Sequence, residues 1–161
     1  MKSSIAACKN GARKEYGRYY AAELAKKHES GIKKTGAQAL IPVPIHKERH
    51  KKRGYNQAKV IADYLEGETG IPVIDYYLVR IKNTEALKEL SAAERKASVE
   101  DAFLVSETSK LLYRNLRCFI LVDDIYTTGS TINECAATLK KSGVLKVYFL
   151  CACIGKDQGG E

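Results

Sequence analysis

Two adjacent carboxylates and a group of hydroxyls follow an apolar run in the sequence FILVDDIYTTGST, residues 119–131. Asp123 and Asp124 would stand at the end of a buried strand, and Gly129 would let the backbone turn closely before a helix. The first amides of such a helix are unpaired, and its dipole favours an anion. The stretch therefore predicts a pocket for a phosphate monoester, with hydroxyl donors from Thr127, Thr128, Ser130 and Thr131.

The two carboxylates suit a ligand beside that phosphate. Asp123 and Asp124 can accept hydrogen bonds from two vicinal hydroxyls or help to hold Mg²⁺. A phosphate next to a diol describes a ribose 5′-phosphate. The alternative is an ordinary strand–turn–helix with Asp and Thr as caps, but adjacent acids at a buried edge repel each other and need a ligand or cation. A Walker A loop is excluded because no Lys follows Gly129.

A second stretch, IPVPIHKERHKKRGYNQA at residues 41–58, combines a strand end with a basic cluster and the polar start of a helix. If this strand neighbours the Asp123 strand, the cluster faces the same crevice. A pyrophosphate would need such cations, whereas solvent exposure is the alternative for most of them. Arg53 and Asn56 are the preferred candidates. The pyrophosphate candidates in this stretch are His46, Arg49, Lys52, Arg53 and Asn56.

The elements that position these residues follow from apolar periodicity. Helices are predicted near 15–29, 58–65 and 132–139, with a loop at 31–36. Strands are predicted at 39–45, 71–81, 101–105, 118–124 and 144–154. The alternation predicts an α/β domain whose mostly parallel central sheet is flanked by helices, with ligands outside the carboxyl ends of the strands. We assign residues 1–154 to this domain and residues 155–161 to a loose tail.

Composition places the chain in a broad class. Its 161 residues are 45% apolar and 29% charged, as expected for one soluble domain. No apolar run is long enough for a membrane span, and no secretory signal is recognisable. The five cysteines suit reduced thiols and a cytoplasmic location. Cys151 and Cys153 have no second pair at metal spacing, so strand positions are favoured over a zinc site.

The net charge of +8 is unevenly distributed. Residues 1–60 hold 15 Lys and Arg against 4 Asp and Glu. A basic front half indicates an anionic partner, either nucleic acid or a phosphorylated small molecule, or simply a solvated basic helix face.

Three ordered motifs resemble known families. FILVDDIYTTGST is similar to the phosphoribosyl pyrophosphate (PRPP) loop of type I phosphoribosyltransferases. VPIHKERHKKRGYNQA resembles a signature of the ComF (competence protein F) family, and NTEALKELSAAERKASVEDAF resembles that family's middle segment. The resemblance spans residues 11–154. It departs from the family in lacking an N-terminal zinc ribbon, in Leu87 where Gln is usual, and in Ser98 where Asn is usual.

The resemblance implies a type I phosphoribosyltransferase-like fold and a Mg²⁺-dependent transfer of phosphoribosyl from PRPP to an unidentified acceptor, with release of pyrophosphate. Asp123 and Asp124 would bind the ribose hydroxyls and hold Mg²⁺ indirectly, through ribose or water, while residues 127–131 wrap the 5′-phosphate. Residues 82–101 would form a flexible flap in which Lys88 contacts pyrophosphate, with solvent exposure as the alternative for its cations. The implied catalytic residues are Asp123, Asp124, Arg53 and Arg95.

The acceptor and the partners stay open. Thr127 occupies the position where the hypoxanthine–guanine subfamily has a carboxylate, so purine salvage is not expected. A non-catalytic PRPP-fold module in competence, DNA uptake or regulation is the alternative function, and a nucleic-acid binder is a third. A homodimer and a contact with the DNA-uptake machinery are also left open.

Overall fold

The computed structural model describes residues 14–83, 97 and 99–155 of the chain. Its helices are α1 (Lys14–Thr35), α2 (Lys47–Arg53), α3 (Gln57–Thr69), α4 (Glu107–Leu112) and α5 (Ser130–Lys141). Its strands are β1 (Ala39–Pro42), β2 (Leu78–Arg80), β3 (Phe103–Val105), β4 (Cys118–Tyr126) and β5 (Lys146–Ile154).

A parallel sheet with the order β1-β4-β5 forms the centre of the domain. Ala39 pairs with Phe119 at one end of the β1–β4 register, and Asp123 pairs with Cys151 across β4 and β5. A single parallel bridge from Leu40 to Val73 adds to the outer side of β1. The strand before the basic segment is therefore a neighbour of the Asp123 strand, as the basic-segment hypothesis required.

Helices cover both faces of β4, which explains its near-continuous apolar run. Phe119 and Leu121 belong to a core cluster with α5, β2 and β3. Ile120 and Val122 belong to a second cluster with α1 and α3. Each of the four is at most 1% exposed. The predicted fold class, an α/β domain with a mostly parallel sheet flanked by helices, is confirmed.

The predicted strand at 71–81 is wrong over most of its length. The chain turns at Tyr76, whose φ is 62°, and Asp75 Oδ1 accepts a hydrogen bond from the Tyr76 nitrogen. Only β2 remains as a strand, and it pairs antiparallel with β3 in a separate two-stranded sheet. The apolar run alone did not show this break.

The loop predicted at 31–36 is helical up to Thr35. Ile32 is 4% exposed in the second core cluster, and the Lys33 ammonium lies 2.6 Å from Glu29 Oε1, an i, i+4 pair. The helix stops where Gly36 takes a φ of 63°. Burial of one apolar residue therefore extends α1 by more than a turn beyond its predicted end.

Some predictions fall outside the described residues. Most of the predicted flap at 82–101 does so, including Leu87, Lys88, Arg95 and Ser98, and so does the tail from residue 156 onward. Among the helices that are described, none is long and apolar enough to cross a membrane.

Candidate functional site

The acids of β4 lie at the carboxyl end of the sheet, where the strand emerges from the core. Asp123 and Asp124 are half-buried, and the Asp124 backbone nitrogen donates a hydrogen bond of 2.8 Å to Asp123 Oδ1. Burial raises the pKa of Asp123 well above its usual range, and the charge of Asp124 raises it further. The positive charge of Arg80 opposes this shift. Asp123 would therefore be stabilised by a cation or by hydrogen-bond donors.

The turn from β4 into α5 depends on Gly129. This residue is the N-cap of α5 with a φ of 77°, and a Cβ there would lie 2.6 Å from Tyr126 Oη. No side-chain hydrogen bond caps α5 at this residue. Thr128 Oγ1 bonds the Ser130 hydroxyl at 2.9 Å and lies 3.5 Å from the Ser130 nitrogen. The Ser130 amide therefore already donates a long hydrogen bond to Thr128, and the amides that follow it in the first turn are the ones that would meet an anion.

An open pocket joins the acid end of β4 to this turn. The structure brings Asp123, Thr127, Gly129, Ser130 and Thr131 together around it, and their binding roles stay a prediction. Asp124 and Thr128 are their chain neighbours and do not line the pocket. The residues that line it are Asp123, Ile125, Tyr126, Thr127, Gly129, Ser130, Thr131 and Ile132.

The basic segment forms the short helix α2. His46 is its N-cap and is 8% exposed, and its Nδ1 accepts a 3.4 Å hydrogen bond from the Glu48 nitrogen. Lys52 and Arg53 are exposed, and an Arg53 guanidinium nitrogen donates to Gln57 Oε1 at 3.2 Å. His46 thus has a capping role, and the pyrophosphate role of these side chains stays a prediction.

Asn56 joins two elements of the site. Its Oδ1 accepts a 3.1 Å hydrogen bond from the Ala58 nitrogen and caps α3, and its Nδ2 donates to the Val43 carbonyl at 3.0 Å. The prediction that Asn56 opens a helix is confirmed. The contact with Val43 fixes the start of α3 against the chain just after β1.

Two arginines interact electrostatically with the acids of β4. Burial and the charge of Arg53 lower the pKa of Arg49, and the charge of Asp124 opposes that shift. Burial and the charge of Arg49 likewise lower the pKa of Arg80, against the opposing charge of Asp123. These couplings link the β4 acids to α2 and to β2.

Arg80 was missed by the sequence analysis. It is 9% exposed, its Nε donates to the Lys82 carbonyl at 3.3 Å, and its guanidinium carbon lies 5.4 Å from the centroid of the Phe103 ring. A cation inside the apolar run YYLVRI was the available signal, because a buried Arg needs charged or aromatic partners.

Three thiols also lie near the acids. Burial raises the pKa of Cys151 to about 12, helped by the charges of Asp123 and Asp124. Cys153 is a neighbour on the same strand, and Cys135 is fully buried on α5. Across the described ranges, no group of three or more His, Cys, Asp or Glu side chains could hold a metal ion. The prediction of Cys151 and Cys153 as strand residues is confirmed.

The sequence of the chain is similar to those of several known proteins. No protein-family model matches the chain. It is 38% identical over 111 residues to competence protein F of Haemophilus influenzae, an alignment that covers 68% of this chain and 47% of that protein. It is 33% identical over 104 residues to competence protein ComFC of Bacillus subtilis, covering 65% and 39% of the two chains. The chain belongs to the ComF family.

Other relatives of this ComF chain carry a different name. The DNA utilization protein YhgH of Escherichia coli K12 is 31% identical over 114 residues, covering 71% of this chain and 48% of that protein. The chain thus spans about half the length of the curated relatives it matches. A purine phosphoribosyltransferase from Pyrococcus horikoshii is a structural neighbour with 13% identity and a TM-score of 0.44, covering 89% of this chain and 91% of that one. With so low a TM-score and identity, this neighbour does not assign roles to the residues of the site.

Proposed function

We propose that this ComF-family chain binds PRPP with Mg²⁺ and transfers its phosphoribosyl group to an acceptor, releasing pyrophosphate. The observation that carries the proposal is one pocket that joins the buried-edge acid Asp123 to the glycine-capped start of α5. The carboxylates would repel an anionic group, whereas the amides at the start of α5 would attract it. A ligand with a diol at one end and a phosphate at the other satisfies both.

The phosphate end belongs at α5. The helix begins at Ser130 with no side-chain cap from Gly129, and the hydroxyls of Thr127 and Thr131 line the same pocket. Helix dipole, amides and hydroxyls together favour a 5′-phosphate. Because Gly129 has no Cβ, the backbone can approach that phosphate closely.

The ribose end belongs at the acids. Asp123 and Asp124 would accept hydrogen bonds from the two ribose hydroxyls. Their oxygens are also the hard ligands that Mg²⁺ prefers, and burial beside Asp124, which raises the pKa of Asp123, supports a cation at this pair. Mg²⁺ would supply charge neutralisation for the departing pyrophosphate.

The leaving group needs cations, and the candidates among the described residues are Arg49 and Arg80, whose pKa values respond to the charges of Asp124 and Asp123. As the bond from the anomeric carbon to the pyrophosphate oxygen breaks and the bond to the acceptor forms, these guanidiniums would stabilise the charge that develops on pyrophosphate. Arg53 and Lys52 on the exposed side of α2 extend this surface. Lys88 and Arg95 lie outside the described residues, and their role as cations of a flap is proposed from the family resemblance alone.

The acceptor is proposed only by exclusion. Thr127 is exposed and lines the pocket, and it offers a hydroxyl where a general base would need a carboxylate. A purine acceptor that requires such a base is therefore not expected. The reaction would take place in the cytoplasm, where PRPP-dependent chemistry and reduced thiols are compatible.

A thermal-shift titration with PRPP and Mg²⁺ tests binding. We expect the melting temperature to rise by several degrees, because ligand at about 100 times its Kd adds about 2.7 kcal/mol. Asp123→Asn with Asp124→Asn should abolish the shift. The matched control is Asp63→Asn with Glu68→Gln, which removes two charges from the exposed part of α3 and should keep the shift.

Turnover requires a second measurement, which is pyrophosphate release from PRPP across a panel of bases and amines. Release with one acceptor supports the transferase. A thermal shift without release on any acceptor would favour the non-catalytic module in competence or DNA use, the processes in the relatives' names. No thermal shift in the parent chain would contradict both. DNA affinity measured against salt addresses the nucleic-acid alternative, which needs a steep salt dependence.

A further inference from the structure

The two outer edges of the parallel sheet are covered differently. On the β1 side, the Leu40 nitrogen donates to the Pro72 carbonyl at 2.9 Å, and the Ile74 nitrogen donates to the Leu40 carbonyl at 3.0 Å. On the β5 side, no strand within residues 14–83 or 99–155 pairs with the outer edge. A strand of nine residues therefore presents backbone donors and acceptors outward.

The exposed edge lacks the usual protection of an edge strand. The sequence KVYFLCACI contains no Pro or Gly, and its one charge is Lys146 at the first position. Tyr148 is 41% exposed, Phe149 is 51% exposed and Ile154 is 81% exposed. Single edge strands normally carry charges, Pro or bulges that prevent pairing. Strand β5 is therefore suited to a partner strand.

The order of side-chain sizes along β5 indicates which partner. Val147, Tyr148 and Phe149 precede Leu150, and the smaller Cys151, Ala152 and Cys153 follow it. An antiparallel copy with Leu150 opposite Leu150 places each of the first three against one of the smaller residues, and it sets Lys146 against Ile154 at both ends, so that the two lysines lie far apart. A parallel copy would set bulky against bulky and Lys beside Lys. The antiparallel pairs are Lys146 with Ile154, Val147 with Cys153, Tyr148 with Ala152, and Phe149 with Cys151.

We propose that two copies of this chain pair through β5, antiparallel about a two-fold axis at Leu150. The three strands of each chain then form one continuous six-stranded sheet, and the contact is closed because the same surface serves both copies. The carboxyl ends of the two halves point in opposite directions. Each pocket at Asp123 therefore stays complete within its own chain, so the dimer does not depend on the function proposed above.

Sedimentation equilibrium of the full chain, from about 1 µM to about 1 mM, tests the proposal. We expect a monomer–dimer equilibrium. Tyr148→Lys should raise the dimer Kd by about tenfold, because the substitution changes two cross-strand pairs at once. Leu111→Lys is the matched control, since Leu111 is 72% exposed on α4 and is not part of β5, and it should leave the Kd unchanged.

Cross-linking tests the register. Leu150→Cys puts a cysteine opposite its own copy on the two-fold axis, where oxidation should give a disulfide-linked dimer whose 150–150 bond is identified by mass spectrometry. Lys146→Cys lies on the same strand but opposite Ile154, so it should give no 146–146 bond. The proposal would be overturned by a monomer at every concentration, including one in which another part of the same chain pairs with β5. An equal effect of Leu111→Lys on the Kd would also overturn it, and so would equal cross-linking at 146 and 150.

Discussion

Replacing Gly129 by Ala should destabilise the chain more than the same change at a comparable glycine. An L-residue in the left-handed region costs about 1–2 kcal/mol, and Gly129 has a φ of 77°. The new Cβ would also lie 2.6 Å from Tyr126 Oη and 3.0 Å from its Cζ. The Tyr126 ring is stacked on Phe149 with a centroid distance of 5.5 Å, so moving it costs a further 1–3 kcal/mol or so.

Gly70 provides the matched control. Its φ is 70°, and a Cβ there would meet nothing within 4 Å. We expect Gly70→Ala to cost about 1–2 kcal/mol and Gly129→Ala about 2–5 kcal/mol. Urea unfolding gives the two free energies of unfolding. For a chain of this size, each kcal/mol should also lower the melting temperature by about 2–4 °C.

A double-mutant cycle separates strain from contact. In a Tyr126→Ala background the contact with the ring is gone, so Gly129→Ala should cost only what Gly70→Ala costs. Equal costs of the two glycine changes in the parent chain would refute the reasoning. So would an excess cost at Gly129 that persists after Tyr126 has been removed.

Three further predictions follow from the site. Asp123→Asn should raise the free energy of unfolding of the ligand-free chain at neutral pH by about 1 kcal/mol. Because the pKa of Asp123 is raised in the folded state, the stability of the parent chain should fall as the pH rises from about 4 through that pKa. Asp123→Asn should lose this fall, whereas Asp63→Asn should keep it. Asn56→Ala should cost about 1–2 kcal/mol in urea unfolding through the lost cap of α3, against little change for the exposed Asn133→Ala on α5. Cys151, with a pKa of about 12, should react with iodoacetamide at pH 8 about a thousandfold more slowly than an ordinary thiol in peptide mapping, and ordinary reactivity would contradict the burial described for it.

The parts of the site that could be predicted are those encoded within a few residues. The acids, the glycine and the hydroxyls are neighbours in sequence, and the helix and strand that hold them have clear periodicity. The buried face of α3 was likewise predicted, because Ala58, Ile61, Ala62 and Leu65 recur at helical spacing. The order of residues in the sequence was sufficient for a prediction wherever one element and its adjoining turn supply all the residues of a feature.

The parts that could not be predicted depend on contacts distant in sequence. The charge of Arg80 acts on Asp123 from β2, a strand that pairs with β3 and not with the main sheet. The break at Tyr76 is hidden in an apolar run that fits a strand equally well, and the end of α1 is set by burial of Ile32. Periodicity reports one element at a time, so it does not record which elements become neighbours.

The way the turn after β4 is held has a consequence for binding kinetics. Gly155 donates its backbone N–H to the Tyr126 carbonyl at 2.7 Å, and Tyr126 in turn fixes the space around Gly129. The turn therefore has its shape before any anion arrives, and little conformational entropy remains to be lost on binding. Association of a phosphate with this turn should then proceed at a rate set by diffusion and charge attraction, with ionic strength as the main control.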